Sequence, residues 1–183
     1  MSDGDKAVNQ RLAEHLFGNV MMAQTGRVLD CGAKYSWIGK CFKDLGCEVT
    51  AVDAIPEVIK YSEELGIRGV QYNIDEDCDA VQVLGSFDFI VLIHVLEHLY
   101  TPLDVMKKLR NLLSKGDRMF VRCPDHEVEG IERDLTPYHY IVHPFIYHQE
   151  SVERLLQITD TFKVIGTNEL RGSGQRDYVW EAI

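Results

Sequence analysis

Val28-Leu29-Asp30-Cys31-Gly32-Ala33-Lys34-Tyr35-Ser36 is the stretch on which the reading of this chain turns. An apolar run that meets an acid and then a glycine describes a buried strand breaking into a tight turn. Glycine at position 32 lets the backbone bend and approach a ligand without interference from a Cβ. Ser36 is the expected cap of the next helix, whose unpaired N–H groups favour an anionic group near the same turn. In that helix Ile38, Phe42 and Leu45 share a face, and Gly46 stops it.

The alternation of strand and helix continues in both directions. Upstream, an amphipathic helix runs from Lys6 to Ala23 with Val8, Leu12, Leu16 and Val20 at a four-residue repeat, and Gly26 separates it from the strand Arg27–Asp30. Downstream, Glu48–Asp53 is the second strand. Pro56 suits the first turn of a helix carrying Ile55, Val58, Ile59 and Leu65. Val70–Ile74 reads as a third strand, and Phe87–Ile93 as a fourth, the most apolar and therefore central.

Thr101-Pro102 opens a helix with Leu103, Met106, Leu109, Leu112 and Leu113 inward, closed by Lys115-Gly116 ahead of a fifth strand, Arg118–Arg122. A last helix, Gln149–Asp160, presents Val152, Leu155 and Leu156. Phe162–Leu170 and Asp177–Ala182 then form two strands around the turn Gly172-Ser173-Gly174. This order predicts an α/β fold: a doubly wound, mostly parallel seven-stranded sheet with a C-terminal antiparallel hairpin. Ligands in such sheets sit beyond the carboxyl ends of the strands.

With 183 residues, 45% of them hydrophobic, and no linker-like tract, one domain covering residues 1–183 is expected. Nineteen basic residues against 29 acidic ones leave a net charge of −10, which argues against long nucleic acid as a partner. The longest apolar run, Phe89–Ile93, is too short for membrane insertion. Met1–Asp5 is acidic and lacks a signal core, and the five cysteines are scattered without a CxxC pair. A cytoplasmic protein with reduced, mostly buried thiols is expected.

Asp30-Cys31-Gly32 resembles the start of the first motif of class I S-adenosylmethionine-dependent methyltransferases, D-x-G-x-G-x-G. The resemblance extends to Val52-Asp53 as the second-motif acid, to Tyr72-Asn73-Ile74 in the adenine-contacting region and to Ser86-Phe87-Asp88. It is most specific at His94-Val95-Leu96-Glu97-His98-Leu99, followed by a proline, and continues through Leu113–Arg118 and His143–Leu156. These are similar to the small methyltransferases of the ubiquinone and menaquinone biosynthesis group. The resemblance implies a Rossmann-like methyltransferase fold, S-adenosyl-L-methionine as cofactor and a small-molecule acceptor. It also implies cofactor contacts from Asp30, Gly32, Lys34, Ser36, Asp53, Asn73, Ile74 and His94.

Lys34 and Ser36 stand where the family carries its second and third glycines. A left-handed backbone at such a position costs a non-glycine residue roughly 1–2 kcal/mol. The Lys34 side chain either blocks the methionine end of the ligand or meets its carboxylate. A non-catalytic binding or scaffolding protein that keeps the fold is therefore the alternative, and Lys34 is its main support. A nicotinamide-dependent reductase is disfavoured, because a dinucleotide fingerprint needs the missing glycines. Tyr35 and Trp37 are aromatic candidates to lie against a sulfonium, with Trp37 better suited to the core.

His94, Glu97 and His98 fall on one face if a helical turn starts at His94. Some methyltransferases of the resembled group hold a metal with E-x-x-E-H. Here His94 replaces the first glutamate, no further ligand is evident, and a metal-free pocket is expected. Residues 124–148 hold His126, His139, His143, His148 and several aromatics, a connection that the resemblance places over the acceptor. His94, His98 and His143 are the expected catalytic bases for an acceptor that loses a proton, His143 being the one best suited to face it.

Overall fold

In the computed structural model the described residues are 2–76, 84–125, 143–170 and 174–183. Seven strands form one mostly parallel sheet in the order β3-β2-β1-β4-β5-β7-β6. They are β1 (Arg27–Cys31), β2 (Glu48–Asp53), β3 (Arg68–Gln71), β4 (Phe87–Ile93), β5 (Leu113–Pro124), β6 (Phe162–Leu170) and β7 (Gln175–Ala182). The helices are α1 (Asp3–His15), α2 (Trp37–Asp44), α3 (Pro56–Glu64), α4 (Pro102–Arg110) and α5 (Gln149–Thr159). The expected doubly wound architecture is present, with β4 in the middle of the order. The chain forms two compact units, Met1–Val91 and Leu92–Ile183.

In the first unit, β1 and β2 run parallel with Asp30 opposite Ala51 and Cys31 opposite Val52. That register brings Gly32 and Asp53 off the sheet side by side. β3 pairs in parallel with β2, from Thr50 opposite Arg68 to Asp53 opposite Gln71. The third strand therefore begins two residues before the expected Val70 and ends at Gln71, leaving Tyr72–Ile74 outside it. Val28, Leu29, Ile38, Phe42, Ala51 and Val52 make the core here. The N-terminal helix α1 starts earlier than Lys6, with Ser2 and Asp5 in a reciprocal capping box. It continues as a π-helical turn over Leu16–Val20. Val8 is 49% exposed, so Ala13, Leu16 and Val20 carry the buried stripe instead.

In the second unit, β7 lies antiparallel to both β5 and β6, with a bulge between Val164 and Gly166. Trp180 and Tyr178 of β7 are fully buried, as are Met106 and Leu109 of α4, and Val152, Leu155 and Leu156 of α5 are buried too. Two expectations change. Leu103 is largely exposed, and α4 ends at Arg110, whose guanidinium donates to the Leu113 carbonyl. Lys115-Gly116 accordingly lies inside β5, where Gly116 takes φ +92° and Asp117 accepts from the Ser114 N–H. The expected hairpin tip at Gly172-Ser173 and most of the 124–148 connection lie outside the described residues.

Candidate active site

The turn after β1 is held to the end of β2 by backbone groups. The N–H of Gly32 and that of Ala33 both donate to the Val52 carbonyl, at 2.8 and 3.2 Å. Gly32 has φ +73°, and Lys34 and Ser36 have φ +48° and +49°. These two non-glycine residues thus hold the left-handed backbone that glycine adopts without strain. The side chain of Lys34 is exposed, with its ammonium 5.7 Å from the centroid of the equally exposed Tyr35 ring.

Ser36 does not act as the side-chain cap of α2. Its left-handed conformation turns the hydroxyl inward, where it shares a hydrogen bond with the Ser62 hydroxyl of α3. The Asp30 carboxyl lies hard against the Gly39 backbone, where a Cβ at residue 39 would lie 2.9 Å from Asp30 Oδ2. Helix and strand approach closely only because residue 39 is a glycine. Asp30 is 4% exposed, and its Oδ2 has no hydrogen-bond partner among the described residues. Burial pushes this carboxyl up to about 7; the Gly39 N–H opposes the rise and the charge of Asp53 adds to it.

Asp53 is tied at both oxygens. Oδ2 accepts from the Lys34 N–H at 3.1 Å and Oδ1 from the Ile55 N–H at 3.0 Å. Each carboxylate oxygen keeps a further lone pair, so the group is oriented and still able to accept from a diol. The Ile55 side chain beside it is exposed, a feature that the sequence reading assigned to the helix face. Beyond β3, the Tyr72 N–H donates to the Asp53 carbonyl. Asn73 is exposed, its side chain engaged with Glu76 and the Asp75 N–H, and Ile74 is buried. Trp37 is half-buried under the Lys6 ammonium, 5.3 Å from its ring centroid.

The second cluster follows β4. His94 has φ +56° and donates its backbone N–H to the Arg122 carbonyl. A short 3-10 turn, Leu96–His98, comes next, so the helical turn expected from His94 is absent. Glu97 is 3% exposed; its Oε1 pairs with His94 Nδ1 at 3.1 Å. A carboxylate accepts, so His94 Nδ1 is the donor in this contact. His98 and His143 stack edge to face with centroids 4.7 Å apart. The described structure therefore gathers all three expected histidines around Glu97, which the sequence reading did not count among the catalytic groups. His126 and His139 lie outside the described residues.

The carboxyl end of β5 holds a polar cluster that the sequence reading missed. Asp125 is buried and pairs with Arg176, whose guanidinium also donates to Gln149 at 3.0 Å. Arg122 makes a two-pronged pair with Asp177 beside it. Ladder positions of β5 and β7 bring these charges together. Only the strand register, which sequence spacing does not reveal, could have paired them.

Fold and loop geometry define a doubly wound α/β domain of the cofactor-binding kind. Residues 6–161 match the methyltransferase domain family, and the chain belongs to it. A stretch of 101 residues is 35% identical to a ubiquinone biosynthesis O-methyltransferase of Xanthomonas axonopodis pv. citri, taking in 52% of this chain and 41% of that enzyme. The chain thus spans less than half of that relative's length. Among solved structures it resembles the PH0226 protein of Pyrococcus horikoshii (TM-score 0.75, 16% identity, 100% of this chain and 92% of that one). It also resembles a Burkholderia thailandensis 1,6-didemethyltoxoflavin-N1-methyltransferase with bound 1,6-didemethyltoxoflavin and S-adenosylhomocysteine (TM-score 0.70, 18% identity, 95% of this chain and 78% of that one).

Proposed function

We propose that this chain transfers a methyl group from S-adenosylmethionine to a small-molecule acceptor. The observation that carries the reading is the loop after β1. Where the family motif has its second and third glycines, Lys34 and Ser36 keep a glycine-like backbone, and the lysine side chain stays exposed over Tyr35. That backbone supports a cradle kept in shape, and favours the enzyme over the alternative of a non-catalytic scaffold. Family membership and the S-adenosylhomocysteine-bound neighbour point the same way.

When bound, S-adenosylmethionine would supply the methyl group as a sulfonium, its C–S bond breaking as the acceptor's lone pair bonds to the methyl carbon and S-adenosylhomocysteine leaves. Asp53 is held by two backbone N–H groups in an orientation to accept from the ribose hydroxyls. Gly32 would give the ligand close access to the backbone, and Asn73 and Ile74 would stand on its adenine side, as the resemblance implies. An acceptor hydroxyl or protonated amine must also lose a proton. His94, held at Nδ1 by Glu97, His98 and His143 are the groups to take it. Most of the acceleration comes from alignment of the two reactants.

The chain acts as a single catalytic domain in this reading. A cytoplasmic setting fits the buried free thiols of Cys31, Cys41, Cys47 and Cys123; Cys78 lies outside the described residues. Among the described residues, no helix is long and apolar enough to cross a membrane. Calorimetric titration of the full chain with S-adenosylhomocysteine tests the reading. Binding at micromolar ligand is expected; no heat at millimolar ligand would overturn it.

A further inference from the structure

Lys34 and Ser36 share a left-handed backbone, and the fold accounts for only one of them. Ser36 is fully buried, with its hydroxyl on that of Ser62. Lys34 has no such inward partner. Its side chain is exposed beside the Tyr35 ring, itself 52% exposed, and its ammonium pairs with no carboxylate among the described residues. The left-handed region is unfavourable for lysine, and a cation on an exposed ring offsets only part of that cost. Strain that local packing leaves uncompensated is characteristic of ligand sites.

The charges around the turn show which ligand group would lack a partner. Asp30 lies near the end of β1 and Asp53 ends β2, on a chain of net charge −10. The Lys34 N–H donates to Asp53 Oδ2 at 3.1 Å, so the lysine is anchored at the carboxylate read above as the ribose acceptor. A zwitterionic amino-acid tail brought to this turn finds acids, which suit its ammonium and leave its carboxylate without a counter-charge. Lysines of the flanking helices are engaged elsewhere: Lys40 with Asp44, Lys43 with the carbonyls of Leu65 and Gly66, and Lys6 with Asp3.

We propose that Lys34 is the counter-charge for the carboxylate at the methionine end of the cofactor, a side-chain contact at a position where the family motif has glycine. The inference rests on the methyl-transfer reading and deepens it: the turn favours ligands that keep the amino-acid carboxylate over analogues that lack it. An ammonium on a flexible four-carbon stem acts as a point charge and needs no fixed approach. Since residue 34 already has a glycine-like φ of +48°, the charge is gained without reshaping the loop. Two outcomes are open to this side chain, obstruction of the methionine end or contact with its carboxylate. Exposure of the ammonium beside Tyr35 favours contact.

The test titrates the full chain by calorimetry with S-adenosylhomocysteine and with its decarboxylated analogue, which keeps the adenosine, thioether and ammonium. In Lys34→Met, S-adenosylhomocysteine should bind about 10-fold more weakly, the usual scale for a hydrogen bond to a charged group. The analogue should bind no more weakly than to wild type. Added salt should narrow the difference between the two proteins, because the lysine is exposed. Thermal melts establish that the variant is folded; Lys34→Gly, expected to show the same selective loss, replaces it if it is not. Unchanged S-adenosylhomocysteine affinity, or equal weakening of both ligands, would overturn the proposal. So would tighter S-adenosylhomocysteine binding in the variant, which would make the lysine an obstruction. Each of these results removes only the role of Lys34, whereas binding of neither ligand by wild type removes the methyl-transfer reading itself.

Discussion

The turn after β1 and the turn after β4 make their sites in opposite ways. After β1 the working groups are mainly backbone: two N–H groups on Val52, one from Lys34 on Asp53, and three left-handed residues at 32, 34 and 36. After β4 they are side chains: three imidazoles around the buried Glu97. A backbone-built site tolerates changes of side chain as long as φ and ψ survive, which is how Lys34 and Ser36 stand in for glycines. A side-chain site has no such tolerance, since each replacement removes a donor.

The comparison is most directly broken at the side-chain site. His143→Ala should lower turnover roughly 100-fold or more, the usual range for loss of a proton-handling group, while S-adenosylhomocysteine affinity by calorimetry stays within error of wild type. Equal losses in both would show that the histidine serves cofactor binding. Asp53→Ala is the side-chain change that should damage the first site most. It removes the ribose acceptor and frees two N–H groups, and cofactor affinity should fall by about 100-fold, equivalent to ~3 kcal/mol. Retention of wild-type affinity would move the cofactor elsewhere.

Asp30 sharpens the contrast through pH. Its folded carboxyl, raised to about 7, stays protonated where the unfolded chain has already lost the proton. The folded state therefore binds more protons between about pH 4 and pH 7, and this residue's contribution to stability declines as pH rises through that window. Denaturant unfolding at several pH values should show Asp30→Asn with a flatter profile and a relative gain above pH 7. An unchanged slope would mean that Asp30 is ionised in the fold. The smallest effect belongs to Lys34→Gly. Relief of the left-handed backbone should add about 1 kcal/mol, or roughly 2–4 °C in melting temperature for a chain of this size. A lower melting temperature would show that the lysine side chain has a stabilising contact over Tyr35.

Much of the fold was legible because strands here are short apolar runs bounded by glycine, proline or acid. Glu48–Asp53, Phe87–Ile93 and Phe162–Leu170 coincide with β2, β4 and β6 residue for residue. Misreadings arose where two local signals competed. Lys115-Gly116 looks like a helix stop, yet the ladder with β7 and the Asp117 bend draw the segment into β5. Ser36 looks like a cap, yet its left-handed backbone aims the hydroxyl at Ser62.

Left to itself, the order of residues settled the strand–helix alternation, the glycine turn after β1, the acid ending β2 and membership of a methyltransferase family, because these depend on periodicity and on residues close together in the chain. Tertiary structure alone decided that Lys34 stays exposed, that Asp30 loses access to water and that His143 joins Glu97 and His98. Those outcomes depend on burial and on distances between residues far apart in sequence. Neither quantity exists until the chain has closed on itself.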